Sequence, residues 1–161
     1  MWSGNLVAFI LMNDIPRLIG DLPAIQLARL AGFSPIVTTA SPRNVDMLKA
    51  FGATRVIDRN TRADEVLIEV KKAAGDAPIK TVFDTVSFAD TQDIGYDALA
   101  PGGTLVIDLP SQIQEKKVTG KKVVNVYGST SAPQNRKLGV ALYAKLTEWL
   151  ADGSIKVCSS A

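Results

Sequence analysis

Ser41 and Arg43 are residues whose types and spacing suit the binding of a phosphate group. They stand close together in the segment TTASPRN. A hydroxyl and a guanidinium both donate hydrogen bonds to phosphate oxygens, and the guanidinium adds a positive charge. The same two residues also suit a purely structural role, with Ser41 as a helix cap before Pro42 and Arg43 as a surface cation. The sequence favours neither interpretation over the other.

The segment NDIPRLIGDLP, from Asn13 to Pro23, stands before the helical pattern AIQLARLAG. A dinucleotide-binding turn at this place uses three glycines, so that the backbone can approach the diphosphate closely. Gly20 is the one glycine here, and the two prolines of the segment remove amide donors. Asp14 and Asp21 would repel a diphosphate, although Asp21 suits the N-cap of a helix that begins near Pro23. The pattern therefore argues against a normal diphosphate clamp.

Several kinds of chemistry are excluded by composition. The sequence has no histidine and one cysteine, Cys158, which excludes a thiolate–imidazole pair, a Ser-His-Asp triad and a histidine-based metal site. We therefore expect no metal. The net charge of +2 is too small to indicate nucleic acid or an anionic membrane, and we interpret KKVTGKK as a solvated loop. The apolar run Leu6–Met12 is too short to span a bilayer, and we expect a cytoplasmic protein.

Apolar runs alternate with helical patterns along the whole chain, and turn residues separate them. The predicted strands are Asn5–Met12, Ser34–Ala40, Thr54–Asp58, Ile79–Val86, Thr104–Leu109 and Val123–Gly128. Helical patterns lie between them, with Asn60 or Thr61 as the cap of the third, and the longest follows the last strand over Asn135–Gly153. Continuous β-branched runs that alternate with single helices predict a parallel sheet covered on both faces.

This order predicts an α/β fold, a doubly wound parallel six-stranded sheet of the Rossmann type in a single domain. We assign residues 1–157 to an NAD(P)-binding Rossmann-like domain, with 1–23 as a divergent N-terminal segment, and 158–161 to a tail. Ligands of such sheets bind outside the carboxyl ends of the strands. The candidate cofactor-binding residues at or near these ends are Ser41, Arg43, Asp58, Ser87, Leu109 and Gly128.

Other residues near these ends have a simpler interpretation. Gly102 and Gly103 stand before the fifth predicted strand, where we favour a plain turn between helix and strand over a ligand contact. Tyr127 and Tyr143 have hydroxyls that could donate a proton, but tyrosines at a strand end or on an amphipathic helix are more often core residues, which is the interpretation we favour. No catalytic residue is assigned.

The strings AIQLARLAGFSPIVTTASPRN, LKAFGATRVIDR, VFDTVS and ALAPGGTLV resemble the cofactor domain of medium-chain dehydrogenases/reductases. Within that family, the chain is most similar to fungal zinc-independent alcohol-dehydrogenase-like proteins and trans-acting enoyl reductases, over roughly residues 24 to 157. The resemblance implies NADP(H) as the cofactor, with Ser41 and Arg43 at its 2′-phosphate. It also implies that Ser87 and Leu109 line the adenosine and nicotinamide parts.

The sequence also departs from this family. Members carry a β-rich catalytic domain before the segment and a short return after it, and a glycine-rich turn where this chain has NDIPRLIG. We therefore expect a truncated domain, with weak or no oxidoreductase activity by itself. One alternative is an interaction protein that forms a homodimer when the exposed last strand, KVVNVYG, pairs with its copy. Another is a complete small enzyme that binds a different phosphate ligand through Arg17, Ser41 and Arg43.

Overall fold

The structure, a computed structural model, describes residues 6–12, 18–114 and 119–157, with the side chains of residues 18–21 excepted. Its strands are β1 (Val7–Leu11), β2 (Ile36–Ala40), β3 (Arg55–Asp58), β4 (Ile79–Asp84), β5 (Thr104–Ile107) and β6 (Lys122–Asn125). Its helices are α1 (Leu18–Leu30), α2 (Val45–Phe51), α3 (Ala63–Ala74), α4 (Ala89–Ala98) and α5 (Arg136–Ala151). Short 3-10 helices, Pro42–Asn44 and Pro133–Asn135, precede α2 and α5. Within these ranges, no helix is long and apolar enough to cross a membrane.

The six strands form one sheet in the order β3-β2-β1-β4-β5-β6, and every neighbouring pair is parallel. The order reverses between β1 and β4, and ligands of doubly wound sheets bind at such a switch point. Every residue of β1 is buried, as expected for a central strand covered on both faces. The predicted Rossmann-type sheet is therefore confirmed.

Two apolar cores lie on opposite faces of the sheet because successive side chains of a strand point to opposite sides. Phe9 and Leu11 of β1 belong to one core, together with Val66 and Val70 of α3. Alternate residues of the same strand belong to the other core, which Leu22 and Ile25 of α1 and Leu48 of α2 complete. Helices therefore pack against both faces of the sheet, and the turns that follow the strands lie at its carboxyl edge.

Three local predictions need correction. Helix α1 begins at Leu18 and contains Pro23, whereas we expected it to begin near Pro23. A proline removes one backbone hydrogen bond, and the burial of Leu22 and Ile25 against the sheet holds the helix through that loss. The cap of α3 is Arg62, not Asn60 or Thr61. Each strand is one to three residues shorter than predicted, at its start in β2 and β3 and at its end in β4 and β5, because an apolar run extends beyond the residues that pair with a neighbouring strand.

The turn expected at Gly102 and Gly103 is confirmed. Gly102 has a φ of 74°, which favours glycine, and its N–H lies 2.6 Å from the carbonyl oxygen of Gly120. A Cβ on Gly103 would lie 2.8 Å from a methyl group of Leu99 and 2.9 Å from the carbonyl oxygen of Ala100. The backbone conformation therefore explains Gly102, and the close packing of the turn explains Gly103.

The chain divides into two compact units, Met1–Val126 with the sheet and Tyr127–Ala161 with α5. In the second unit, Tyr127 is 70% exposed and Tyr143 is 59% exposed, so the expectation that these tyrosines lie in a core is wrong. The buried tyrosine is Tyr96 of the first unit, whose hydroxyl bonds the backbone of Thr119. The assignment of residues 1–157 to one domain and the tail 158–161 stay predictions.

Candidate functional site

Threonine hydroxyls fix the end of β1 at the switch point. Thr38 of β2 donates a hydrogen bond to the Ile10 carbonyl (2.8 Å), and Thr39 accepts one from the Met12 N–H (3.1 Å). On the other side, the Thr85 hydroxyl donates to the Leu11 carbonyl (2.9 Å). Side chains from β2 and from the turn directly after β4 therefore bind the last backbone groups of β1. The position of the chain is fixed up to residue 12, directly before the segment that lies outside the described residues.

A cavity of about 390 Å³ opens at this carboxyl edge, around the ends of β1, β2, β3 and β4. One part of its wall is apolar and includes Val86 and Phe88 from the turn after β4, and the other part is polar. The lining residues are Leu11, Met12, Thr39, Arg59, Asn60, Thr61, Ala63, Val66, Val86, Phe88, Asp90, Thr91 and Ile94. An apolar slot with convergent polar groups is the usual form of a small-molecule site.

The polar part of the cavity wall is shaped by Asp58. Its carboxylate accepts hydrogen bonds from the Asn60 N–H (2.9 Å) and the Asn60 side-chain amide (3.1 Å). The carbonyl of Asp58 accepts a third hydrogen bond, from the Thr61 N–H. These contacts form a tight turn after β3 that sets Arg59, Asn60 and Thr61 along the cavity. Asp58 itself is not among the lining residues, and a cofactor contact by Asp58 stays a prediction.

Ser41 and Arg43 follow β2 on the same edge but do not line the cavity. Ser41 is the N-cap residue of the helix Pro42–Asn44, and its side chain makes no capping hydrogen bond. The Arg59 N–H donates to the Ala40 carbonyl (3.1 Å), which places the backbone of Arg59 beside Ser41. The turns after β2 and β3 thus bring Ser41 and the two arginines to one region. A phosphate contact by Ser41 and Arg43 stays a prediction.

The turn after β4 is built around two fully buried side chains, Asp84 and Ser87. The Asp84 carboxylate accepts hydrogen bonds from the N–H groups of Val86 (3.0 Å) and Ser87 (2.8 Å). Burial raises the pKa of the Asp84 carboxyl, and these N–H groups offset part of that rise. Ser87 adopts a φ of 55° and donates its hydroxyl to the Asp84 carbonyl (2.7 Å). Its side chain is buried and is not among the residues that line the cavity, and a cofactor contact by Ser87 stays a prediction.

Leu109 and Gly128 lie in different units. Leu109 follows β5 and is 41% exposed, and its carbonyl accepts a hydrogen bond from the Asn125 side chain (2.5 Å). An apolar side chain exposed at the carboxyl edge is available to a ligand, in keeping with the role expected of Leu109. Gly128 belongs to the second unit, where a Cβ would meet no atom within 4 Å. Cofactor contacts by both residues stay predictions.

None of the six candidate cofactor-binding residues predicted from the sequence is among the residues that line this cavity. Arg59, Asn60 and Thr61 stand directly after a predicted strand end, so their position was an available signal. Phe88 is 48% exposed and lies at the cap of α4, where Thr91 exchanges hydrogen bonds with its N–H and carbonyl. Nothing in the pattern VFDTVSFAD distinguishes this phenylalanine from a core residue. The folded chain thus brings turn residues, in addition to the strand ends, to one cavity. Arg17 and the pair Asn13 and Asp14 lie outside the described residues.

The cavity fits part of a dinucleotide. An apolar wall that includes the exposed Phe88 suits a planar base, and Asn60, Thr61 and Arg59 offer hydrogen-bonding groups for a sugar and a phosphate. A metal fits less well. Within residues 6–12, 18–114 and 119–157, no group of three or more His, Cys, Asp or Glu side chains could hold an ion. We assign no chemical step to a metal in this chain.

Solved structures share this fold. The structure of a mycobacterial protein complexed with NADPH has a TM-score of 0.78 and 19% identity, and the match covers 98% of this chain and 50% of that one. The enoyl reductase CurK gives a TM-score of 0.76 and 21% identity, over 98% of this chain and 47% of its own. Identities this low show the fold alone.

Curated sequences extend the comparison. A trans-enoyl reductase of Gibberella fujikuroi is 31% identical over 150 residues, which are 83% of this chain and 42% of that protein. A zinc-type alcohol dehydrogenase-like protein of Schizosaccharomyces pombe is 31% identical over 146 residues, which are 81% of this chain and 41% of that protein. The chain therefore spans about two fifths of the length of these relatives.

A family model described as zinc-binding dehydrogenase matches residues 21–136. This range covers most of α1, all of α2 to α4 and β2 to β6, and every residue of the cavity wall except Leu11 and Met12. The model, the relatives and the parallel sheet agree with the resemblance drawn from the sequence. The chain belongs to the zinc-binding dehydrogenase family, within the medium-chain dehydrogenases/reductases, and corresponds to the cofactor-binding half of its members.

Proposed function

We propose that this chain binds NADP(H) and serves as the cofactor domain of an enoyl-reductase-like or alcohol-dehydrogenase-like oxidoreductase. The observation that carries the proposal is the cavity at the switch point between β1 and β4. Its position, its apolar wall and its convergent polar groups suit the adenosine end of a dinucleotide. The similarity to a trans-enoyl reductase and to an alcohol dehydrogenase-like protein supports this reaction class.

Different residues at the cavity would contact the adenine ring, the ribose and the 2′-phosphate of the cofactor. Val86 and Phe88 offer apolar surface to the adenine ring, and Asn60 and Thr61 offer polar groups to the ribose. Arg59, together with Ser41 and Arg43 on the neighbouring turn, supplies positive charge and donors for a 2′-phosphate. When bound, the cofactor supplies the hydride, and the part of this chain is to hold and orient it.

The binding is proposed to be weak, and oxidoreductase activity of this chain by itself weak or absent. The segment Asn13–Pro23 contains one glycine, two prolines and two aspartates. A diphosphate needs backbone N–H groups at close approach, which prolines cannot give and carboxylates oppose. The adenosine end would then contribute most of the affinity.

Calorimetric titration with NADPH and with NADH tests this function. We expect binding of NADPH in the micromolar to millimolar range and weaker binding of NADH, because NADH lacks the 2′-phosphate. The ligand 2′,5′-ADP, which has the adenosine and the 2′-phosphate but no nicotinamide, should keep much of the affinity. A chain that binds neither NADPH nor 2′,5′-ADP at millimolar concentration would contradict the proposal.

Arginine variants test the 2′-phosphate site. Arg59→Ala and Arg43→Ala should each weaken NADPH by about tenfold, the loss expected for one charge-assisted hydrogen bond, and change NADH little. Arg55→Ala is the matched control. Arg55 is the first residue of β3, at the end of the strand opposite to Arg59, and it forms an ion pair with Glu69. Equal losses for NADPH and NADH would refute a 2′-phosphate contact by that arginine.

A second candidate function is self-association through the sheet edge. Strand β6 pairs with β5 on one side and ends the sheet, and its residues Lys122, Val124 and Asn125 are exposed. An open edge strand presents backbone donors and acceptors to another strand. We propose a homodimer in which β6 pairs with its copy, either beside cofactor binding or as an interaction role without it. Light scattering over a range of concentrations tests this, and a chain that stays monomeric contradicts it.

A further inference from the structure

Behind the turn after β4 lies a buried side-chain amide that the cavity does not use. Gln92 is on the first half of α4, and no part of its side chain reaches solvent. A glutamine amide carries two N–H donors and one carbonyl acceptor, and burial is costly when they are unpaired. Gln92 is therefore a residue whose burial needs an explanation beyond packing.

The amide of Gln92 connects two turns of the carboxyl edge. Its nitrogen donates hydrogen bonds to the carbonyl of Ser87 (2.9 Å) and to the carbonyl of Pro110 (3.1 Å). Its oxygen accepts a hydrogen bond from the Gln112 N–H (2.8 Å). One side chain thus holds the turn after β4 to the segment after β5. All of its polar atoms are paired.

Ser87 makes a second connection beside the first. Its hydroxyl accepts a hydrogen bond from the Asp108 N–H (3.0 Å) while it donates to the Asp84 carbonyl. The segment that follows β5 is consequently fixed at three backbone positions, Asp108, Pro110 and Gln112. Leu109 lies between the first two, with 41% of its surface exposed.

The order of the strands relates this segment to the cavity. The cavity lies at the ends of β1 to β4, and β5 is the next strand beyond β4. A dinucleotide whose adenosine end fills the cavity extends along the carboxyl edge and across the switch point. Its nicotinamide end then reaches the turns after β4 and β5, which are the two turns that Gln92 joins.

We propose that Gln92 is a positioning residue for the nicotinamide half of the cofactor, acting through the segment Leu109–Gln112. This inference rests on the proposed NADP(H) binding. The amide fixes the segment after β5 at one distance from the turn after β4, so that its backbone and Leu109 are already placed when the cofactor arrives. Preorganisation of this kind lowers the entropy that binding must overcome.

The test compares NADPH with 2′,5′-ADP in the variant Gln92→Met, which keeps the side-chain length and removes all three hydrogen bonds. We expect the affinity for NADPH to fall by about tenfold, as for one net hydrogen bond lost, and that for 2′,5′-ADP to stay within about twofold. Backbone hydrogen exchange should also become faster at Gln112 and Asp108. A residue that only stabilised the fold would not change the ratio of the two affinities.

Two further variants complete the design. Gln26→Met is the matched control, since Gln26 is also buried and its amide nitrogen lies 3.4 Å from the Leu22 carbonyl in its own helix. It should leave the ratio unchanged. Gln112→Pro removes the N–H that donates a hydrogen bond to the Gln92 side-chain oxygen and leaves the core side chains unchanged. This variant tests the same connection if Gln92→Met fails to fold.

The outcomes separate this inference from the proposed function. A parent chain that binds both ligands, with an unchanged ratio in Gln92→Met and Gln112→Pro, overturns the role of Gln92 and leaves NADP(H) binding in place. A parent chain that binds neither ligand contradicts the proposed function, and the positioning role falls with it. Faster exchange at Gln112 in that case would show Gln92 to be a structural residue alone.

Discussion

At the scale of single residues, the carboxyl edge separates side chains that face a ligand from side chains that shape the turns. Asp58 and Ser87 are polar, follow strands and fit a simple expectation of ligand contact. In the structure both form hydrogen bonds with backbone groups of their turns, Asp58 with Asn60 and Ser87 with Asp84. Arg59, the neighbour of Asp58, lines the cavity. Strand-end position alone does not tell these roles apart, because successive residues in a turn point in different directions.

The buried carboxylate of Asp84 leads to a prediction on pH. Its pKa in the folded chain is raised above the ordinary value of 3.8, mainly by burial and to a smaller extent by Asp108. As the pH rises past 3.8, the unfolded chain loses this proton more readily than the folded chain, so Asp84 lowers the free energy of unfolding progressively. The variant Asp84→Asn keeps an acceptor oxygen for Val86 and Ser87 and cannot ionise.

We therefore expect Asp84→Asn to gain stability relative to the parent chain as the pH rises from about 4 toward neutrality. Urea unfolding of both proteins at several pH values measures the difference in the free energy of unfolding. A difference that stays constant over this range, or that moves in favour of the parent chain, contradicts the raised pKa.

At the scale of elements, α4 lies unusually close to the sheet. Gly95 faces the core, where a Cβ would lie 3.0 Å from Leu105 and 3.1 Å from Leu11 and Val82. These three side chains belong to β5, β1 and β4, so the helix crosses the switch point itself. The close approach sets the start of α4, and with it Phe88 and Gln92, at the carboxyl edge. A glycine in a helix is thus explained by packing, not by a turn.

Gly95→Ala tests this close approach. Overpacking costs about 1–3 kcal/mol, and alanine returns about 1 kcal/mol through its higher helix propensity, so we expect a net loss of about 1 kcal/mol. Urea unfolding measures it. Adding Leu105→Ala removes the side chain nearest the new methyl group, so the two changes should be less than additive. A stabilised Gly95→Ala variant would show that the helix has room to move.

At the scale of the whole molecule, the unit Met1–Val126 has a sheet that is protected in its middle and open at β6. Strands β1 and β2 are buried on both faces, whereas three of the four residues of β6 are exposed, Val124 among them. Val124 is the exposed apolar side chain of this four-residue strand, whose other exposed residues are Lys122 and Asn125, and such an edge is available for pairing. This is the surface on which the proposed homodimer depends.

Val124→Lys should abolish self-association, because pairing of two copies of β6 would bring the new charges close together. The control is Ile68→Lys, a change of the same kind at a side chain on α3 that is 63% exposed. Sedimentation velocity should show a dimer for the parent chain and the control, and a monomer for Val124→Lys. Equal behaviour of the two variants would place any association elsewhere.

The sequence by itself determined the architecture. Alternating apolar runs and helical patterns reflect burial between two layers of helices, a local periodicity that survives without knowledge of any contact. The sequence also placed Asp58, Ser87 and Leu109 at strand ends, since turn residues follow each apolar run. The start of α1 was misjudged because tertiary burial of Leu22 and Ile25 carried the helix through Pro23.

Only the tertiary structure decided which residues line one cavity. Arg59, Phe88 and Thr91 come from separate turns and meet because parallel strands end at the same edge and α3 and α4 begin there. The link from Gln92 to Gln112 likewise spans two turns that no local pattern relates. Periodicity records which face of an element is buried, whereas a site depends on the directions of side chains in turns, and those are set by contacts distant in sequence.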